Sequence, residues 1–176
     1  GGPSNATKTY AGKVKLRYAV AQSLNTVAWQ LYAQLTPKVG LQYLKNMNFT
    51  GIVKDDYTLA TSLGGFTKGA SPLEMAAGFE TIENDGMYRE PTCIKTIIDS
   101  DENVVYASQM TEVSIYEQDA ARMMTDVLTT VMDSGTGRSL KLKNMPCAGK
   151  TGTTNDHKDG WFVGFTRYYT TSVWVG

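Results

Sequence analysis

Residues 147–176 read "CAGKTGTTNDHKDGWFVGFTRYYTTSVWVG", and this stretch decides the fold. Three segments within it, "CAGKTGT", "DGWFVGFTR" and "YTTSVWVG", are rich in β-branched and aromatic residues and are joined by short polar turns, the pattern of consecutive antiparallel strands. The first carries one cation, Lys150, among Gly149, Thr151, Gly152 and Thr153. None of these is bulky enough to cover a charge, so Lys150 must lie beside open space or a ligand. Alternation along a strand sends Lys150 and Gly152 to one side and Thr151 and Thr153 to the other, and twist at a sheet edge can still bring all four to one cleft. Gly152 weakens a strand unless something approaches closely above it. An ammonium flanked by hydroxyls suits a substrate carboxylate, or a site where a proton passes to or from a serine. The alternative is a lysine that only blunts an exposed strand edge.

Working back along the chain, "YEQDAARMMTDVLTTVMDSGTG" predicts a helix with Ala120, Met123, Met124, Val127, Leu128 and Val131 along its buried side, the methionines filling core space. "TCIKTIID" and "NVVYAS" flank "SDE" and predict a hairpin. "SPLEMAAGFETIENDG" has both helix ends marked: Ser71 as cap, proline just inside, Glu74 at the capping-box position and Gly86 as the stop. Further back, "PKVGLQYLKNM" starts with proline in its permitted first-turn place. Leu24, Val27, Ala28, Leu31, Tyr32 and Leu35 recur at helical spacing ahead of it, in a helix that should stop before Pro37. Helices precede the sheet, so the fold class is α+β, an antiparallel sheet covered by helices, in one domain over residues 1–176 with no internal boundary.

The 176 residues are 41% hydrophobic, enough for a real core. Seventeen basic residues balance seventeen acidic ones, which removes the electrostatic footprint of a nucleic-acid binder. No apolar run approaches the roughly 20 residues that span a bilayer. Cys93 and Cys147 form no CxxC and have no neighbouring histidine, so they read as two buried free thiols, with a disulfide as the alternative. No cofactor or metal is implied. The single histidine, His157, reads as a solvated loop residue.

Ser23 and Asn25 stand two apart in "AVAQSLNTVAWQL", and on a regular helix they would point about 200° away from each other. They share a site only if the helix breaks there. "VKLRYAVAQ" and "TVAWQLYAQL" each look helical, and serine and asparagine compete with helix interiors, so a break is expected, with a plain helix cap as the simpler reading.

Ser-Leu-Asn at 23–25 and Lys-Thr-Gly-Thr at 150–153 resemble the second and third signature motifs of penicillin-binding proteins and serine β-lactamases. "GKVKLRYAVAQSLNTVAWQL", "LATSLGGFTKGASPLEMAAGFETIENDGMYREPTCIKTI" and "AGKTGTTNDHKDGWFVGFTRYYTTSVWVG" extend that resemblance, over essentially the full chain, to the transpeptidase domain of class A, bifunctional penicillin-binding proteins. The family's Ser-x-x-Lys box, which supplies the nucleophile ahead of Ser-x-Asn, is absent from this sequence, and the family continues past "VWVG" into a further strand and a covering helix.

The resemblance implies an incomplete β-lactamase/penicillin-binding fold and part of a serine D,D-transpeptidase that cross-links peptidoglycan stem peptides ending in D-Ala-D-Ala and is acylated by β-lactams. It implies catalytic roles for Ser23, Asn25 and Lys150, and substrate-binding roles for Thr151, Gly152 and Thr153. It also implies a place on the extracytoplasmic face of the bacterial membrane, and as partner either the missing part of the same domain as a second chain or further copies of this one. A β-lactamase-type hydrolase is the alternative, as is a non-catalytic peptidoglycan-binding module for the chain by itself.

Overall fold

The computed structural model describes residues 2–154 and 158–176, so the expectation for His157 lies outside the described residues. Among the described residues the α-helices are α1 (Leu16–Ala21), α2 (Asn25–Leu35), α3 (Pro37–Asn46), α4 (Pro72–Glu83) and α5 (Gln118–Ser134). The strands among the described residues are β1 (Met87–Arg89), β2 (Thr96–Ile98), β3 (Val104–Ala107), β4 (Glu112–Ser114), β5 (Ala148–Thr153), β6 (Gly160–Phe165) and β7 (Thr170–Val175).

The last three strands form an antiparallel sheet in the order β5-β6-β7, which leaves β5 at one edge and β7 at the other. Its register pairs Ala148 with Phe165, Lys150 with Val163 and Gly152 with Trp161, and Trp161 in turn with Trp174. These residues share one face. Helices α4 and α5 both pack against this sheet, α5 on β5 and α4 on β6 and β7. Buried Leu128 and Val131 of α5 meet Ala148 and Phe165 there, with Phe79 and Ile82 of α4 alongside. A second core gathers Met47, Phe49, Ala77 and Tyr88 beneath the small β1-β4 ladder.

Helix α4 forms where the sequence marks it. Ser71 Oγ accepts from the Glu74 N–H at 3.2 Å while the Glu74 carboxylate accepts from the Ser71 N–H at 2.7 Å, so each residue satisfies a donor that the helix start leaves free. Beyond the helix Gly86 has φ +89° and its N–H returns to the Thr81 carbonyl at 2.8 Å. A side chain at Gly86 would strike the Tyr116 carbonyl, so the stop needs glycine for space as well as conformation.

Two expectations are corrected. The buried stripe of α5 is Ala121, Leu128, Val131 and Met132, whereas Met123 is 62% exposed and Met124 42% exposed. The sheet and α1 both lie on the side of residue 121, so the stripe is rotated about one residue from the one the period suggests. Cys93 is exposed and Cys147 half-buried, and both are free thiols. Cys93 sits in the loop leading to the β2-β3 hairpin, whose strands are exposed along their whole length and therefore offer no core to bury it.

Candidate active site

The helix breaks at Ser23. Helix α1 ends at Ala21, Ser23 has φ +53°, and α2 begins at Asn25. The Ser23 N–H donates to the Val20 carbonyl at 3.1 Å and the Leu24 N–H to the Ala19 carbonyl at 2.9 Å, the pair of bonds of a Schellman ending, with serine in the left-handed place that glycine usually takes. A serine there costs about 1 kcal/mol of backbone strain, and such strain persists where the surroundings enforce it.

Helix α2 lacks a cap of its own. Leu24 stands at the N-cap position and has no side-chain acceptor. Asn5 supplies one from outside: its Oδ1 accepts from the Thr26 N–H and from Thr26 Oγ1, both at 3.1 Å, and its Nδ2 donates to the Thr9 carbonyl at 2.9 Å. Asn5 is buried. The simple cap reading of Ser-Leu-Asn is thus replaced by a turn clamped from the N-terminal segment. Asn25 Nδ2 donates to the Ser4 carbonyl at 3.0 Å, within the same clamp.

Across 127 residues of sequence, Lys150 Nζ donates to Ser23 Oγ at 2.8 Å and to the Thr151 carbonyl at 2.8 Å. The strand edge and the serine turn are therefore one site. Burial holds the Lys150 amine down at about 8 from its usual 10.5, because removing water penalises the ammonium form. An amine near 8 is partly deprotonated close to neutral pH, so it can donate a hydrogen bond to the serine hydroxyl or accept one from it. Thr151 and Thr136 share a hydroxyl–hydroxyl hydrogen bond of 2.6 Å.

Lys150, Thr151, Gly152 and Thr153 all line one open cavity of about 650 Å³, which Phe66, Met75, Phe79 and Trp174 also line. Beyond Thr153 the strand turns through Thr154, whose N–H donates to the Asp159 carbonyl at 3.1 Å, and Asp159 accepts from Trp174 Nε1 at 2.9 Å. A Cβ added at Gly152 would stand 3.2 Å from Trp161 Cβ, a tight contact with the paired strand, so glycine lets β5 and Trp161 approach closely there. Ser23 and Lys150 are joined directly, while Asn25 is engaged with Ser4. Asn5, Thr136 and Trp174 were not legible as site residues, since no local pattern relates them to the motifs; the small-residue run "SGTG" at 134–137 was the one available hint.

The match to known proteins follows this geometry. The family model for the penicillin-binding protein transpeptidase domain matches residues 3–176. The chain is 33% identical over 174 residues to penicillin-binding protein 4 of Bacillus subtilis, covering 99% of this chain and 28% of that protein. It is 35% identical over 174 residues to penicillin-binding protein 1A of Aquifex aeolicus, covering 99% of this chain and 23% of that one. Among solved structures, penicillin-binding protein 1A of Haemophilus influenzae superposes with a TM-score of 0.85 at 21% identity, over 99% of this chain and 31% of that chain. The PonA1 protein of Mycobacterium tuberculosis, in complex with penicillin V, superposes with a TM-score of 0.85 at 22% identity, over 98% of this chain and 50% of that one.

A helix-covered antiparallel sheet whose edge lysine meets a serine turn thus belongs to the penicillin-binding transpeptidase fold. The chain is a member of the penicillin-binding protein transpeptidase family, with class A proteins of the 1A type among its relatives. It spans about a quarter of the length of the curated relatives it matches.

Proposed function

We propose that the chain forms the middle and late part of one D,D-transpeptidase domain, lacking the segment that carries the serine nucleophile. In the complete reaction that serine attacks the carbonyl of the penultimate D-alanine of a stem peptide, the bond to the terminal D-alanine breaks, and an ester is left on the serine. An amine from a neighbouring strand then attacks the ester, forms the cross-link amide and frees the serine. A β-lactam follows the first half, its ring amide opening to a lasting ester. These steps need an activated hydroxyl, donors for the oxyanion and a cation for the terminal carboxylate.

In this reading Lys150 supplies the cation and Thr151 and Thr153 hold the carboxylate by their hydroxyls. The Thr153 N–H is one oxyanion donor. Ser23 passes a proton to the leaving amine, biased by Lys150, and Gly152 lets the peptide lie along the unpaired edge of β5. Asn25 orients the substrate amide after leaving Ser4. The observation that carries the reading is the 2.8 Å bond between Lys150 Nζ and Ser23 Oγ. Peptidoglycan as substrate puts the site outside the cytoplasmic membrane, and among the described residues no helix is long and apolar enough to cross one.

Intact mass after penicillin treatment tests the proposal. The 176-residue chain should gain no stable adduct, and a chain extended upstream through a Ser-x-x-Lys segment should gain one antibiotic mass. An adduct on the short chain, or none on the extended one, overturns it.

A further inference from the structure

Thr136 belongs to neither motif, yet it touches both halves of the site. Helix α5 ends at Ser134, and the chain that follows is stitched to the last residue of α1: the Thr136 N–H donates to the Ala21 carbonyl at 3.0 Å, and Gln22 Nε2 donates to the Ser134 carbonyl at 3.3 Å. Gly135 allows this approach, since a Cβ there would come within 2.3 Å of the Ala21 carbonyl oxygen. Ala21 lies two residues before Ser23. On its other side Thr136 places its hydroxyl 2.6 Å from that of Thr151, and the Thr151 carbonyl accepts from the Lys150 amine that also reaches Ser23.

These bonds close a ring from the serine turn through Thr136 and Thr151 to Lys150 and back to Ser23. A threonine hydroxyl on an open strand edge has three staggered positions and ordinarily samples more than one. A partner at 2.6 Å selects one of them. Because Thr136 is anchored by its own backbone to the helix that leads into Ser23, the selected position is fixed relative to the serine turn as well as to the strand.

We propose that Thr136 is a positioning residue: its side-chain hydroxyl sets the rotamer of Thr151, and its backbone ties that setting to the Ser23 turn. The proposal gives Thr136 a part in substrate recognition only insofar as Thr151 holds the substrate carboxylate, as read above. The positioning itself is independent of that reading and is tested in the chain without any ligand.

Three-bond couplings from the Thr151 methyl carbon to its amide nitrogen and carbonyl carbon report its χ1 distribution. The wild-type chain should show one rotamer. Thr136→Val removes the hydroxyl while keeping shape and backbone, and should move the Thr151 couplings to rotamer-averaged values; Thr136→Ser should restore the single-rotamer values. Thr136 is exposed, so both variants should melt close to the wild type. Thr151 couplings unchanged by Thr136→Val, or averaged in Thr136→Ser as well, overturn the proposal. If Thr136→Val unfolds, Thr136→Ser with averaged couplings would overturn it alone, and single-rotamer couplings there would support it. Failure of penicillin labelling in the extended chain leaves this result untouched and counts against the transpeptidase reading instead.

Discussion

Replacing Lys150 by methionine isolates the charge at the centre of the site. The amine sits at about 8 in the folded chain and near 10.5 when the chain unfolds, so the unfolded state binds the extra proton between those values. A depressed folded-state value means that the stability contribution is complete above about 10.5 and is lost as pH falls through about 8. The whole gap corresponds to about 3 kcal/mol, and integration between pH 7 and pH 9 gives about 1.4 kcal/mol of added stability for the wild type. Lys150→Met has no such group. Its loss of the bonds to Ser23 and Thr151 adds an offset that does not change with pH.

The assay is urea unfolding of both chains at pH 7 and pH 9. The quantity is the difference of differences, in which the tyrosines and other lysines common to the two chains cancel. Wild type should gain about 1.4 kcal/mol more than the variant across that interval. Parallel behaviour would show that the Lys150 amine keeps its proton across this interval and that burial does not govern it.

Other expectations follow from the packing. Gly135→Ala places a Cβ 2.3 Å from the Ala21 carbonyl oxygen and 2.9 Å from Val131 Cα, both backbone atoms, so it should cost about 1–3 kcal/mol in urea unfolding. It should also loosen the Ser23 turn, read as faster amide exchange at residues 21–24. Ser71→Ala removes one half of the capping box and should cost about 1 kcal/mol, and Glu74→Gln should cost at least as much, because the two carboxylate oxygens accept from the Ser71 and Thr50 N–H groups and an amide NH2 can accept from neither. The free edge of β7 carries Val173, Trp174 and Val175, all exposed, so the chain should self-associate at micromolar concentration unless a complementary chain is bound; light scattering giving a monomer mass would contradict this.

Much of this could be read from the sequence because local rules and global fold agree. Ser71, Pro72, Glu74 and Gly86 each state a backbone geometry, and α4 adopts it. The three terminal strands form where their β-branched and aromatic content marks them, and the break at Ser23 follows from two helical periods that do not join. What was hidden depends on partners distant in sequence. The α5 stripe could be drawn through Met123 or through Met132 with Leu128 and Val131 common to both, and only the positions of β5 and α1 decide between them. The β1-β4 ladder pairs two three-residue strands separated by a whole hairpin, too short for a period to register. At the site, Lys150 and the Ser-x-Asn turn were legible as letters, but the acceptor that caps α2 lies in Asn5, 21 positions from the amide it serves.

That last arrangement bears on how small the unit can be made. Residues 2–9 contain neither motif, yet Asn5 and Ser4 brace the beginning of α2 and the Asn25 amide from behind. A chain trimmed to begin at Tyr10 would keep both motifs in order while its serine hinge, left in a backbone shape that serine does not prefer, lost the strut that holds the helix after it in place.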